Sequence, residues 1–393
     1  MKKQTPSHIL PVIVIAQFTG TSLWFAGNAV VEDLIIELGL LEMFVGFITM
    51  AVQAGFIVGT LVFAFLNIAD RFSPVKVFLF CALAGSAFNL STISASDFTQ
   101  VMLARLLTGF FLAGIYPVGM KIASDWHKEG LGKALGYLVG ALVLGTAFPH
   151  FLNFLARDIS WTYVLIGTSV FAGLGGFLLF FTVKDGPNRT PSKGLVFEYD
   201  AIVKLFKVSN FRSAAFGYFG HMWELYTFWA FIPLMLTIYK SQNPESDFDS
   251  SFLSFLIIGI GGISCAVGGH ISLTKGSKRV AMASLIGSGF SCLLLPLSFG
   301  VPALAFFFLL FLWGVFVIPD SPQFSTMVAK SCDSKYIATG LTIVNSLGFA
   351  LTIVSIQLVN LIYSTTGSVF VFWIMLAGPV FGLYAISKYK VSP

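Results

Sequence analysis

Charge is what this sequence has least of. Of its 393 residues, 23 are Lys or Arg and 18 are Asp or Glu, together 10% of the chain, where a soluble domain carries about 25%. A globule of this length needs a polar skin, and so few charges cannot supply one. Cytosolic enzymes, nucleic-acid binders and disordered chains are excluded on that ground. Cysteine is scarce as well. Cys81, Cys265, Cys292 and Cys332 show no CxxC spacing, which leaves neither a disulfide-stapled domain nor a zinc site. No GxxxxGKS, GxGxxG, HExxH or GxSxG occurs, so no ATPase or hydrolase chemistry, catalytic residue, metal or cofactor is expected. Period-two alternation is missing too, which argues against a transmembrane barrel.

What the sequence has in abundance is apolar surface. Hydrophobic residues make up 56%, Phe alone contributes 43, and the mean hydropathy is +0.87. A helix needs about 20 apolar residues to cross the hydrocarbon. Twelve such spans are predicted, at 8–31, 42–66, 75–95, 98–121, 133–155, 161–183, 211–238, 252–273, 279–299, 301–327, 337–362 and 367–387. They must be helices, because backbone groups in lipid have to be satisfied within the segment. The expected class is therefore an all-α integral membrane protein. The first span follows Met1, Lys2 and Lys3 as a signal peptide would. It is too long for one and carries Gln17, Thr19, Thr21 and Ser22, so it is read as a retained helix.

Basic residues set the orientation. With the N-terminus inside, the inner loops and termini hold twenty of the 23, the outer loops only Arg157 and Lys240, and Arg105 remains within a span. This asymmetry predicts a cytoplasmic-membrane protein with both termini cytoplasmic. The chain divides into a bundle at 1–183, a polar linker at 184–210 and a second bundle at 211–393. Within the linker, residues 195–208 suit an amphipathic interfacial helix, with Val196, Tyr199, Val203 and Phe206 on one face. The two bundles read as copies. A shift of 202 to 204 sets Leu23-Trp24 on Leu225-Tyr226, Lys76-Val77 on Arg279-Val280, Tyr116-Pro117 on Ile318-Pro319, and Gly136 on Gly340. Two fused six-helix repeats that rock about a central site are a transporter design.

Residues 66–76, Leu-Asn-Ile-Ala-Asp-Arg-Phe-Ser-Pro-Val-Lys, resemble the loop after the second helix of the major facilitator superfamily, Gly-x-Leu-x-Asp-Arg-x-Gly-Arg-Arg. Asp70 and Arg71 match; Leu66 and Ser73 replace its glycines, and Lys76 supplies the later positive charge. Arg105 to Gly109 resembles the Arg-x-x-x-Gly motif of the fourth helix. Gly136, Gly140, Gly145 and Pro149 resemble the Gly/Pro-rich fifth helix of proton-driven drug antiporters, without its Gly-Pro dipeptide. The stretches at 217–226 and 320–325 resemble a bacterial subgroup labelled nitrate/nitrite or cyanate permeases. Those nitrate carriers share an arginine in helices two and eight, and neither span has one here. The resemblance implies the major facilitator fold and a gating role for Asp70, Arg71 and Lys76.

Ionisable groups inside spans cost about 2.5–3.5 kcal/mol on insertion scales, so each needs a partner or a wet cavity. Glu224 sits at the middle of the seventh span, with His221 one turn away on the same face. The pair suits proton uptake or a cationic group, with a structural network as the bland reading. Asp320, between Pro319 and Pro322, is a coupling carboxylate or a latch in a segment whose helix the prolines break. Arg105 suits an anion site by its forked donors, whereas the resemblance implies a role in proton traffic or in helix packing. His150 and His270 are expected at helix ends, near the interface. Trp24, Phe25, Asn28, Gln53, Tyr116, Trp223, Tyr226, Trp229, Trp313, Gln323 and Asn345 are candidates to line a solute cavity, the amides ahead of the aromatics. The glycines of span eight are read as packing devices. The function expected is proton-coupled secondary transport of a small organic solute by a monomer, with protons, solute and membrane lipids as partners. A non-transporting sensor and a lipid flippase are the alternatives.

Overall fold

The computed structural model describes residues 6–40, 44–127, 131–156, 158–189, 199–333 and 336–390. Every regular element among them is helical, and the chain forms two compact units, Met1–Val196 and Phe197–Pro393. The first unit holds α1 (Ile9–Thr21), α2 (Ala26–Ala29), α3 (Val31–Leu38), α4 (Phe44–Phe65), α5 (Ile68–Arg71), α6 (Pro74–Ser91), α7 (Phe98–Leu112), α8 (Tyr116–Trp126), α9 (Leu131–Ala156) and α10 (Thr162–Thr182). The second holds α11 (Tyr199–Lys207), α12 (Ser209–Gln242), α13 (Ser250–Lys275), α14 (Ser277–Leu294), α15 (Ala303–Phe316), α16 (Ser321–Lys330), α17 (Ile337–Thr366) and α18 (Ala377–Ser387). A 3₁₀ segment, Val369–Leu376, leads into α18.

Ten helices among the described residues are long and apolar enough to cross a membrane. The first and seventh of the twelve predicted spans are not in that set, for different reasons. The first is no single helix from 8 to 31. It ends at Thr21 after 13 residues, about 20 Å of rise, and unwinds before α2. The hydroxyls there turn back on their own helix: Thr21 Oγ1 donates to the Gln17 carbonyl at 2.8 Å and Ser22 Oγ to that of Thr19 at 2.6 Å. Such back-bonding bends helices. The seventh, α12, runs unbroken for 34 residues, about 50 Å, but His221 and Glu224 lower its hydropathy. The fourth and tenth spans are each split. Pro117 opens α8 and Pro322 opens α16, positions where a missing N–H costs nothing.

Close backbone approach sets the packing. A Cβ on Gly109 of α7 would strike the Val52 carbonyl of α4, and one on Gly55 would strike the Leu106 carbonyl. In the second unit Gly220 of α12 lies against Gly378 and Gly382 of α18 in the same way. In span eight the glycine reading holds for Gly268, which abuts Pro319, whereas Gly269 faces open space.

The linker departs from its expected face. Residues 195–198 lie outside the described ones. In α11 it is Leu205 that is buried, while Val203 is exposed, and the Phe206 ring packs edge-on against Phe211 at 5.2 Å.

Candidate functional site

Each unit encloses ionised or ionisable side chains. In the first, Arg105 on α7 is fully buried. Its Nη1 donates to Asn89 Oδ1 at 2.6 Å, and its Nη2 to the carbonyls of Leu23 and Trp24 at 2.8 and 2.9 Å. α1 has ended at Thr21, so both carbonyls lie beyond its hydrogen-bond ladder. Asn89 of α6 is itself held, its Nδ2 donating to Thr168 Oγ1 and Ser169 Oγ of α10 at 3.1 and 2.9 Å. The guanidinium therefore ties α1, α6, α7 and α10 together, and Arg105 Nε alone is without a partner among the described residues. No carboxylate is among its partners. The packing alternative for Arg105 has a concrete geometry here, and Asn89 is the partner that sequence reasoning missed.

A polar strip lies on α4 of the same unit. Asn28 Nδ2 donates to Thr49 Oγ1 at 2.6 Å, and Gln53, one turn further on, is fully buried. Neither amide atom of Gln53, nor Asn28 Oδ1, meets a partner among the described residues. Buried amides left open in this way are candidate solute or water sites. The Trp24 ring tilts against Phe56 with centroids 4.6 Å apart, and Tyr116 is half-buried at the start of α8.

In the second unit Glu224 is buried on α12 and faces α14 and α15. Trp313 Nε1 donates to Oε1 at 2.6 Å, Cys292 Sγ to the same oxygen at 3.2 Å, and Ser288 Oγ to Oε2 at 3.0 Å. Three neutral donors surround the carboxyl, and no basic side chain is among them. The expected pairing with His221 is not the one formed. His221 Nδ1 lies 2.9 Å from Asp320 Oδ1, both residues are buried, and Nε2 has no partner among the described residues. Helix periodicity puts positions 221 and 224 on one side of α12, but it does not say which neighbouring helix each meets. Tyr218 and Phe324 flank the imidazole, with centroids 5.8 and 6.4 Å away.

The other lining candidates divide. Trp223 Nε1 donates to the Ile374 carbonyl at 2.9 Å, so its indole N–H is engaged. Tyr226 packs against Trp229 and Phe349, centroids 5.1 and 5.2 Å apart. Gln323 is buried on α16, and Asn345 is half-buried on α17. His150 is 1% exposed on α9, and its Nε2 meets no partner among the described residues. His270 is exposed, and its Nδ1 lies 3.0 Å from the Ala266 carbonyl.

The loop charges meet partners that their spacing does not reveal. Asp70 pairs with Lys121 of α8 at 3.0 Å, and Lys121 reaches Asp125 at 3.4 Å. The segment after α10 closes over the same loop: Asp185 accepts from Ser73 Oγ at 2.7 Å and pairs with Arg189 at 2.9 Å. Arg71 and Lys76 are exposed, and no ion pair links either to the described residues. Lys121, Asp125, Asp185 and Arg189 are 45 or more residues from Asp70 along the chain, beyond the reach of any local pattern.

Ten long apolar helices among the described residues, spread over both units, mark a multi-pass membrane protein. The sequence model of the Major Facilitator Superfamily matches residues 12–356, and the chain belongs to that family. It is 26% identical over 188 residues to the MFS-type transporter mpsC of Macrophomina phaseolina, covering 47% of this chain and 36% of that one. To the nitrate/nitrite transporter NrtP of Picosynechococcus it is 24% identical, over 46% of this chain and 39% of the relative. To a multi-drug resistance efflux pump PmrA homologue of Lactococcus lactis it is 29% identical, over 58% and 56%. The matched stretches thus span about half or less of the length of these relatives. Among solved structures, the human organic anion transporter MFSD10 superposes with a TM-score of 0.72 at 14% identity over 98% of this chain and all of the other. A bacterial homologue of the human lysosomal transporter Spinster gives 0.69 at 14%, over 99% and 97%. At these identities the likeness is one of fold.

Proposed function

We propose that this membrane transporter is a secondary active carrier of a small organic solute, coupled to protons and working by alternating access, with Glu224 as the coupling residue. The observation that carries the reading is a buried carboxyl ringed by neutral donors. An uncompensated charge in a span is costly, and Glu224 has no cation against it. A proton taken up by Glu224 removes that charge, which lets the surrounding site close over solute; release of the proton restores it. Differential stability of the two protonation states in the two conformations is what couples the gradient to the solute.

His221 and Asp320, 2.9 Å apart, are the second candidates for coupling. In this reading Asn28, Gln53, Gln323 and Asn345 supply hydrogen bonds to the solute, and Trp24, Tyr116, Trp223 and Tyr226 supply walls. Arg105 holds the first unit's binding surface in place. Asp70, with Lys121 and Asp125, closes one end of the first unit. The protein acts as a monomer in the cytoplasmic membrane, with both termini inside.

Glu224→Gln tests this. The amide keeps an acceptor for Trp313 and Cys292 and can donate to Ser288, so the fold should survive. In proteoliposomes screened with candidate solutes, the variant should lose accumulation driven by a pH gradient yet retain counterflow at equal pH. Undiminished gradient-driven uptake would move the coupling role to Asp320 and His221. Loss of counterflow together with loss of folding would make Glu224 structural.

A further inference from the structure

Two cavities outside the enclosed ions share one design. In the first unit a cavity of ≈ 640 Å³ runs beside α5, α6 and α7; in the second, one of ≈ 530 Å³ runs beside α13, α14 and α15. Both volumes lie within the range of about 300–1,000 Å³ of small-molecule sites. Their walls correspond residue by residue at the repeat spacing. Ile68 corresponds to Ile271, Val77 to Val280, Phe80 to Ala283 and Cys81 to Ser284. Each has two exposed cations at its mouth, Arg71 with Lys76 and Lys275 with Arg279. The first cavity also borders Arg189, but that guanidinium is spent on Asp185 and on the Phe72 carbonyl at 2.8 Å.

No ion pair joins Arg71, Lys76, Lys275 or Arg279 to a carboxylate among the described residues. Below them the walls are apolar and open outward. Phe80 is 64% exposed in the first groove, and Ile263 is 60% exposed in the second. An apolar channel headed by two free cations is complementary to a molecule with an anionic head and a hydrocarbon tail. The grooves open at the loops that the basic-residue topology places on the inner side, where anionic lipids concentrate.

We propose that each unit carries a seat for one anionic phospholipid, its phosphate held by Arg71 and Lys76 in the first and by Lys275 and Arg279 in the second, and an acyl chain in the groove beneath. Preservation of both cations and wall at the repeat spacing is the independent support. The inner-side bias alone would place basic residues in both loops; what recurs beyond it is a pair of cations over an apolar groove in each unit.

The test is native mass spectrometry on the delipidated full chain, titrated with phosphatidylglycerol or phosphatidylcholine. The parent should retain two phosphatidylglycerols and discriminate against phosphatidylcholine. Arg71→Gln with Lys76→Gln should retain one, Lys275→Gln with Arg279→Gln one, and the fourfold variant none. Each cation lost should weaken its site by about five-fold. Val267→Trp, which fills the second groove without touching charge, should remove that lipid as well. Equal retention of the two lipids, or a fourfold variant that still holds two, overturns the proposal; so does a Val267→Trp chain with undiminished binding. Should the charge variants fail to fold, the salt dependence of the parent decides, since phosphatidylglycerol binding indifferent to high salt excludes a headgroup held by cations.

Discussion

The two units answer the same problem, an ion inside a membrane helix bundle, in opposite ways. In the first the buried ion is a guanidinium, and its needs are acceptors. Side chains supply one, Asn89 Oδ1; the rest are backbone carbonyls at Leu23 and Trp24. Both lie past Thr21, where α1 has stopped. In the second unit the buried group is the Glu224 carboxyl, and its need is donors. Ser288, Cys292 and Trp313 bring them on side chains from α14 and α15, and α12 runs on through Pro233. The guanidinium draws on backbone beyond a helix end; the carboxyl draws on side chains of two neighbouring helices.

This contrast can be broken by substitution. Arg105→Met should have the largest effect on stability. It strands the acceptors at Leu23, Trp24 and Asn89 and removes charge-assisted bonds each worth about 1.5–3 kcal/mol. A fall of at least about 3 kcal/mol, read as a drop of the melting temperature in detergent, is expected. Arg105→Lys should recover only part of it, because an ammonium cannot span the fork. Removal of Arg105 without loss of stability would mean that the α1 break stands on its own.

Gly109→Val comes next. Its side chain would collide with the Val52 carbonyl, and overpacking of this kind costs about 1–3 kcal/mol. Reduced melting temperature with an unchanged response to Glu224→Gln would separate scaffold from coupling.

In the second unit, a double-mutant cycle on His221→Ala and Asp320→Asn should give a coupling of about 0.5–3 kcal/mol in stability. Additive losses would show that the 2.9 Å contact carries no energy.

The smallest effect is expected at Asp70→Asn. An exposed ion pair is worth about 0–1 kcal/mol, so loss of the Lys121 contact should raise thiol labelling at a Ser124→Cys reporter, in a Cys332→Ser background, by up to about five-fold. Labelling equal to that of the parent leaves the loop without a gate.

The sequence by itself determined the class of this protein. So few charges and so many apolar runs admit only membrane helices, and the loop at 66–76 with Arg105 and Gly109 pointed to the family. Pro319 and Pro322 marked the break in the tenth span, because a missing N–H acts locally; the break at Pro117 came only from the structure. Partner choice was decided only by tertiary structure. His221 and Glu224 are neighbours along α12, yet one turns to Asp320 and the other to Trp313, Ser288 and Cys292. The break after Thr21 was equally hidden, since the carbonyls beyond it meet Arg105, more than 80 positions away. Periodicity reports which residues share a face of one helix. Which charge meets which donor depends on how close another helix comes, and glycines such as Gly55, Gly109 and Gly220 set that distance from opposite sides of the contact.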